Sequence, residues 1–446
     1  MSENEKEGKL DIKQTFIIGL AFFTTGISWS LYNTQVSQQL DLYFSGVLIA
    51  GLIVGALMTL DNVVGVIIQP IMGSISDNTR TKYGRRMPYI IVGVILSAIF
   101  FALIPTGFLP AGSLWILLVW MFLFSIAMGF YRSQAVSLMP DFVRPVHRSK
   151  ANAVINIMGG IGAIVAYTMS LVSDYIGLQF TFIIGSIIMI AALIVLFFKI
   201  DENESFSYRL LLESEARESG KTKEKKDKIG LVNSIKDILK EEDKSTIFML
   251  LTIFCLFLTH NGLEALFSIY AGSGPNGVLG LSRGFAGFLF NFVAIPFIIA
   301  AFPLSLLATK IGRRLCIKIG LALMFVSLLI GFAIQTTTVT MIILVLYGIG
   351  YALVNVNTIV IVWELAPSAK KIGTYTGLYY FFSVLAQILG PLSVGGLRDI
   401  FGKASLLLDG SIFLILALVF MFLVRRGEIE LTEEEKLARK KAITEL

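Results

Sequence analysis

Twelve runs of about 20 or more predominantly apolar residues punctuate this chain, near 14–36, 46–73, 87–106, 113–138, 151–173, 178–199, 246–270, 285–308, 316–335, 339–363, 372–396 and 404–425. A helix needs about 20 such residues to cross a hydrocarbon core. Inside that core every backbone amide must find its partner within the protein, so a spanning chain is either helical or a closed barrel. Runs this long, with no period-two alternation, predict an all-α membrane protein. Composition agrees, because 15% charged residues against 55% hydrophobic ones and a mean hydropathy of +0.79 leave little to dress a soluble surface; soluble domains carry roughly 25% charge. The opening "MSENEKEGKLDIK" has charges of both signs, and no small-residue cleavage site follows the first run, which predicts a retained span. Cys255 and Cys316 lie in or at the edge of runs, where small buried hydrophobes are expected in place of a disulfide or metal site.

Loop charge gives an orientation. Connections after even-numbered runs hold Arg80, Lys82, Arg85 and Arg86, then Arg144, Arg148 and Lys150, then "KTKEKKDK", then Lys310, Arg313 and Arg314, then Lys370 and Lys371, whereas the odd ones hold only Arg283, Arg398 and Lys403. The positive-inside rule then predicts that both termini are cytoplasmic in a multi-pass protein of the cell membrane. The net charge of +6 is accounted for by topology and implies no nucleic-acid partner. Six runs (1–199), a polar linker (200–245), six runs (246–425) and a cytoplasmic tail (426–446) make two parallel halves. The linker reads as a flexible tether with a short amphipathic helix in "LVNSIKDILK".

The halves share a motif. "TKYGRR" at 81–86 returns as "TKIGRR" at 309–314, an offset of 228 residues (309 minus 81), each time between the second and third run of its half. The first copy sits in "LDNVVGVIIQPIMGSISDNTRTKYGRRMP", and "GFYRSQAVSLMPD", "ANAV", "GFLFN" and "LRDIFG" follow in the fourth, fifth, eighth and eleventh runs. In this order the motifs resemble the glycoside-pentoside-hexuronide cation symporters of the major facilitator superfamily, closest to the plant sucrose/proton symporters and their bacterial relatives. That resemblance covers nearly the whole membrane portion. It implies the twelve-helix major facilitator fold and a secondary transporter of a small sugar.

A glycine permits a tight turn, and arginine forks bridge to carboxylates. Gly84 with Arg85 and Arg86, and Gly312 with Arg313 and Arg314, are therefore expected to form cytoplasmic gate latches. The expected partners are Asp77 and Asp141 in the first half and Glu364 in the second. The alternative is that these arginines only anchor topology at the headgroups.

Charges inside spans cost at least roughly 2.5–3.5 kcal/mol on insertion scales, so each is a candidate functional group. Asp61 in the second run, Arg132 in the fourth, and His260 with Glu264 one turn apart in the seventh qualify. Asp61 is the expected coupling acid, with Arg132 able to tune its proton affinity and Glu264 as a further cation-coupling candidate. By the resemblance, Arg132 matches an arginine needed in the sucrose symporters, whereas the acid eleven residues earlier is replaced by Met121. The paired aspartates of melibiose-type relatives are replaced by Gly65 and Gln69, which favours a proton over sodium as the coupling ion. No cofactor is expected.

Sugar recognition needs hydroxyl partners and flat aromatic faces in a mostly apolar cavity. Asn33, Tyr32, Arg132, His260, Glu264, Asn291, Asn355, Asn357 and Gln387 are the candidate substrate-binding residues. No phosphate-cradling loop, metal-spaced cluster or nucleophile with a base is legible, so catalysis is not expected. The expectation is a monomeric proton-coupled sugar symporter in the bilayer, taking a disaccharide or glucoside such as sucrose or maltose. A sodium-coupled symporter, a proton-driven exporter of sugars or drug-like compounds, and a transport-inactive membrane sensor are the alternatives.

Overall fold

The computed structural model describes residues 10–108, 113–144, 147–217, 243–367 and 371–428. Among them, twelve helices are long and apolar enough to cross a membrane: Ile12–Tyr43, Ala50–Asp77, Met87–Phe108, Leu114–Phe142, Lys150–Ile176, Leu178–Lys199, Ser245–Ala271, Arg283–Ile311, Arg313–Ala333, Thr337–Leu365, Thr374–Phe401 and Lys403–Leu423. They are called spans 1 to 12 below. The all-helical expectation holds, with span ends displaced from the apolar runs because helices continue past the hydrophobic stretch into capped polar turns. Ser113, for example, starts span 4 by accepting the Trp115 amide on its hydroxyl.

The chain sorts into two compact units. The first holds residues 1–32 and 60–224, the second residues 33–59 and 225–446. In the first unit span 4 packs on spans 2 and 3, and span 3 packs on span 6. Spans 1 and 5 cross where backbone meets backbone: a Cβ on Gly26 would lie 2.1 Å from the carbonyl oxygen of Gly159. In the second unit the same scheme returns, with span 10 on spans 8 and 9, and span 9 on span 12. Residues 50–58 lie along span 11 in that unit, where a Cβ on Gly51 would stand 2.4 Å from the Gly395 oxygen and one on Gly55 2.2 Å from the Pro391 oxygen. Small residues are what allow helices to approach this closely without a hydrophobic drive between them.

Two spans that read as continuous runs are broken. Span 2 consists of Ala50–Met58 and Leu60–Asp77 with a turn at Thr59, and span 8 of Arg283–Phe288 and Asn291–Ile311. Hydropathy does not register such breaks, because the turn residues are as apolar or small as their neighbours. The consequence is positional: Asp61 falls in the first turn of the second helix of span 2, and Asn291 opens the second helix of span 8. Helix starts carry partial positive charge and unbonded amides, which suits an acid or an acceptor.

The tether expected over 200–245 begins as structure. A 3-10 turn at Glu202–Glu204 and a helix at Phe206–Arg217 follow span 6, and Tyr208 is buried. The amphipathic stretch "LVNSIKDILK" lies outside the described residues.

Candidate coupling, substrate and gate residues

The first Gly-Arg-Arg motif is a tight turn closed by a distant carboxylate. Thr81 to Gly84 form the turn, with the Gly84 amide on the Thr81 carbonyl at 3.0 Å and the Thr81 hydroxyl on the Gly84 carbonyl at 2.6 Å. Gly84 has a φ of +94°, a conformation costly for any residue with a Cβ. Glu202, 1% exposed, accepts the amides of Arg85 (3.0 Å), Arg86 (2.9 and 2.8 Å) and Met87 (2.8 Å) at the start of span 3. It thereby satisfies donors that a helix N-terminus leaves open. Burial pushes the Glu202 carboxyl above its ordinary range, and the three amides pull it back. Asn203 adds a bond to the Lys82 carbonyl at 2.9 Å.

The arginines complete the clamp. Arg85 meets Asp141 at 2.6 Å, and Arg86 reaches Asp141 at 3.2 Å and Asp77 at 2.6 Å. Arg86 also bonds the Ser76 hydroxyl, which donates to Gln134 Oε1 at 2.5 Å. Asp141 is buried and Asp77 has 57% of its side chain exposed, so the Asp141 contact is the shielded one. Both anticipated partners of this copy are in place; Glu202 is an unanticipated third.

The second copy is wired differently from the expectation. Gly312 has a φ of +105°. The Arg314 amide bonds Glu428 at 2.7 Å, and the Arg314 side chain lies 3.7 Å from the same carboxylate and on the Arg425 carbonyl. Glu364, the anticipated partner, is exposed near the end of span 10 and pairs with neither arginine among the described residues. The reason is symmetry: Glu428 follows span 12 as Glu202 follows span 6. The two stand 226 residues apart (428 minus 202), close to the 228 between the motifs.

In the first unit the coupling candidates converge. Arg132 on span 4 interacts through charge with Asp61, and Asp61 with Tyr32. Asn62 donates to Asp61 Oδ1 at 3.2 Å. Beside them Tyr32 stacks on Phe124 at 5.6 Å, and Trp29 meets both rings edge-on at 5.6 and 5.4 Å. The Tyr32 hydroxyl and Trp29 Nε1 are buried polar atoms without a hydrogen-bond partner among the described residues. Buried polar groups are ordinarily paired, so these are two donors available to a ligand. Met121 is wholly buried and apolar, which leaves Asp61 as the acid facing Arg132.

In the second unit an aromatic stack carries polar edges. The His260 ring lies 4.0 Å from Tyr351 and 6.2 Å from Tyr347, all three nearly parallel. Glu264, one turn along, interacts through charge with both tyrosines. Asn355 donates to the Tyr351 hydroxyl at 2.9 Å. His260 Nδ1 and the Tyr347 hydroxyl are buried without hydrogen-bond partners among the described residues, and Asn291 is buried at the span 8 break. The other candidates stand apart from this stack. Asn357 is buried but spends its amide on the Leu353 carbonyl of its own helix at 2.8 Å. Asn33 and Gln387 are half-buried on spans 1 and 11.

A fold of twelve spans in two similarly built halves, with polar and aromatic groups buried in each, defines a secondary transporter. Residues 15–276 and 267–445 match the family description Major Facilitator Superfamily, and the chain belongs to that superfamily. It is 20% identical over 92% of its length, and 94% of the relative's, to the multi-drug resistance efflux pump PmrA homolog of Lactococcus lactis subsp. lactis (strain IL1403). It is 35% identical over 104 residues to the lactose permease of Lactobacillus helveticus, a match spanning 23% of this chain and 15% of that protein. Among solved structures, a bacterial homolog of the human lysosomal transporter Spinster in an inward-facing, occupied conformation superposes with a TM-score of 0.69 at 15% identity, covering 94% of this chain and 97% of that one. A point mutant of the nucleoside transporter NupG gives 0.65 at 14%, covering 93% and 100%.

Proposed function

We propose that this transporter is a proton-coupled sugar symporter of the glycoside-pentoside-hexuronide type, importing a disaccharide or glucoside such as sucrose or maltose by alternating access. The observation that carries the reading is the acid at the span 2 break. Asp61 lies at a helix start, within the field of Arg132 and beside an aromatic platform of Trp29, Tyr32 and Phe124 with two unspent donors. An acid that shares an arginine can take a proton when the arginine turns away and lose it when the arginine returns. Flat rings with hydrogen-bonding edges suit the C–H faces and hydroxyls of a pyranose. Within the second unit, the His260, Tyr347 and Tyr351 stack with Glu264 and Asn355 offers contacts of the same kind. The similarity to a lactose permease over part of the chain supports a sugar. The Gly-Arg-Arg clamps serve as cytoplasmic latches, with both termini on that side of the cell membrane and a monomer as the working unit.

The second reading, a proton-driven exporter of drug-like compounds, rests on the nearly full-length similarity to an efflux pump. Aromatic platforms of this kind hold lipophilic cations as readily as sugars. Uptake of radiolabelled maltose and sucrose into proteoliposomes under an imposed inward proton gradient separates the readings. Accumulation that collapses with an uncoupler and is lost in Asp61→Asn supports symport with Asp61 as the coupling acid. Accumulation that survives Asp61→Asn leaves symport standing and moves the proton site to Glu264 or elsewhere. Failure of the wild type to accumulate either sugar, together with proton-driven movement of a lipophilic cation dye, sinks the sugar reading.

A further inference from the structure

At the end of the second unit away from the Gly-Arg-Arg turn, a buried ionic centre joins spans 1, 11 and 12, and none of its members has a place in the proposed coupling site. Asp41 near the end of span 1 accepts from Asn276 Nδ2 at 2.9 Å and lies 3.8 Å from Arg398 of span 11. Arg398 also bonds the Asn276 carbonyl at 3.0 Å. Asp399 is committed to the amides of Gly51 and Leu52, both at 2.7 Å, at the start of the first helix of span 2. Arg398 further interacts through charge with Asp409 of span 12. A cleft of about 440 Å³, lined in part by Gln38, Asp41, Pro275 and Arg283, reaches Asp41 from the surface.

Asp409 is 0% exposed, and its hydrogen bonds accommodate a proton on the acid. Its Oδ2 lies 2.7 Å from the Ser405 hydroxyl, and that same hydroxyl lies 2.8 Å from the Gly402 carbonyl. A serine has one hydroxyl hydrogen, and a carbonyl can only accept. If the hydrogen goes to Gly402, the Asp409–Ser405 contact must be closed by a proton on Asp409. The other oxygen, Oδ1, is buried without any partner among the described residues, a condition severe for an ionised group. The charge count agrees: Arg398 is one buried cation, Asp41 is its contact anion, and Asp399 is spent on two amides. Of these three, Arg398 is the one whose charge acts on Asp409. The surfaces that spans 7 and 9 turn to Gly410, the next residue, are Thr259, Leu263 and Leu328, none titratable.

We infer that Asp409 is a second proton-binding site, occupied while Asp41 holds Arg398, and that it makes the contact of spans 1 and 2 with span 11 sensitive to protons from that side of the membrane. When Asp41 withdraws, Arg398 loses its contact anion and takes Asp409 in exchange. Asp409 then releases its proton to the water that the withdrawal admits, and Asp41 becomes a hydrated carboxylate. Acid on that face favours the closed contact. This inference is independent of the Asp61 reading.

The test is infrared spectroscopy of the full-length protein in lipid nanodiscs at neutral pH, reading the C=O stretch of protonated carboxyl groups, which needs no substrate. A band present in wild type and in Asp61→Asn, lost in Asp409→Asn, and weakened in Asp41→Asn, where Arg398 is free to pair with an ionised Asp409, is the expected result. Should Asp409→Asn fail to fold, Ser405→Ala keeps the acid but removes its hydrogen-bond partner and shifts the same band to higher frequency. Absence of any band assignable to Asp409 by these variants overturns the inference. Loss of sugar uptake in the proteoliposome experiment leaves it standing.

Discussion

Replacing Gly84 by alanine isolates what Glu202 does for the first gate clamp, because a matched control exists in the same unit. Gly84 and Gly177 both sit at positive φ, +94° and +83°. Either substitution puts an L side chain in a conformation costing roughly 1–2 kcal/mol. Around Gly177 nothing lies within 4 Å of an added Cβ, so that is its whole cost. At Gly84 the Cβ would stand 2.5 Å from Glu202 Oε2 and 2.6 Å from its Cβ and Cδ. Glu202 can yield only by leaving its amides, and a hydrogen bond to a charged group contributes about 1.5–3 kcal/mol. Water at the helix end recovers part of what three amides lose. Counting one net bond, Gly84→Ala should cost about 2.5–5 kcal/mol against about 1–2 kcal/mol for Gly177→Ala. Reversible unfolding in mixed micelles, followed by tryptophan fluorescence, reads both. In a Glu202→Gly background the clashing side chain is gone, Cβ included, and Gly84→Ala should fall back to the Gly177→Ala cost, a coupling of about 1.5–3 kcal/mol. Equal costs for the two alanines, or an unchanged Gly84→Ala cost without Glu202, would refute the reasoning.

The two motif copies should differ in strength. Asp141→Asn strands two shielded arginines and is expected to cost about 3–5 kcal/mol. Glu428→Gln loosens a pair 3.7 Å apart with Arg314 33% exposed, and should cost about 0–1 kcal/mol; unfolding midpoints that rank them the other way contradict this. Because burial holds the Glu202 carboxyl above its ordinary range, the folded state binds its proton more tightly than the unfolded state. The stability this contributes is complete at acid pH below the free carboxyl value and is lost as pH rises through the raised one. Wild type should therefore lose stability relative to Glu202→Gln across that window; a difference that grows with pH would mean that the three amides outweigh burial. Tyr347→Phe removes a buried hydroxyl without a hydrogen-bond partner among the described residues, so the fold should be unchanged or more stable while the KM for the transported solute rises. Tyr351→Phe should instead cost about 0.5–1.5 kcal/mol by stranding Asn355; uptake kinetics beside unfolding curves distinguish the two.

The spans, their number and the doubling of the chain were legible in the amino-acid order, because crossing a bilayer is a local requirement met by about 20 consecutive apolar residues. The Gly-Arg-Arg turns and their acids Asp77 and Asp141 were legible for a similar reason: they sit where spans end, and an arginine there needs an anion. What escaped were the partners that lie still further along the chain. Glu202 lies 116 residues from the Arg86 amide it accepts, within a polar stretch whose composition resembles a tether. Its near-equal spacing with Glu428 was the available signal, and it has meaning only once the motif repeat is used as a ruler. Asp409 carried a plainer signal, an acid inside an apolar run, the same rule that singles out Asp61.

Sequence alone determined that this chain must span a membrane twelve times in two related halves, since hydropathy and charge act through short-range transfer energies that each segment settles for itself. Tertiary structure alone decided that spans 2 and 8 break just before Asp61 and Asn291, that Glu428 and not Glu364 answers Arg314, and that Arg398 sits among Asp41, Asp399 and Asp409. Those outcomes depend on burial and on hydrogen-bond direction, which exist only when remote side chains are brought within a few ångströms of each other.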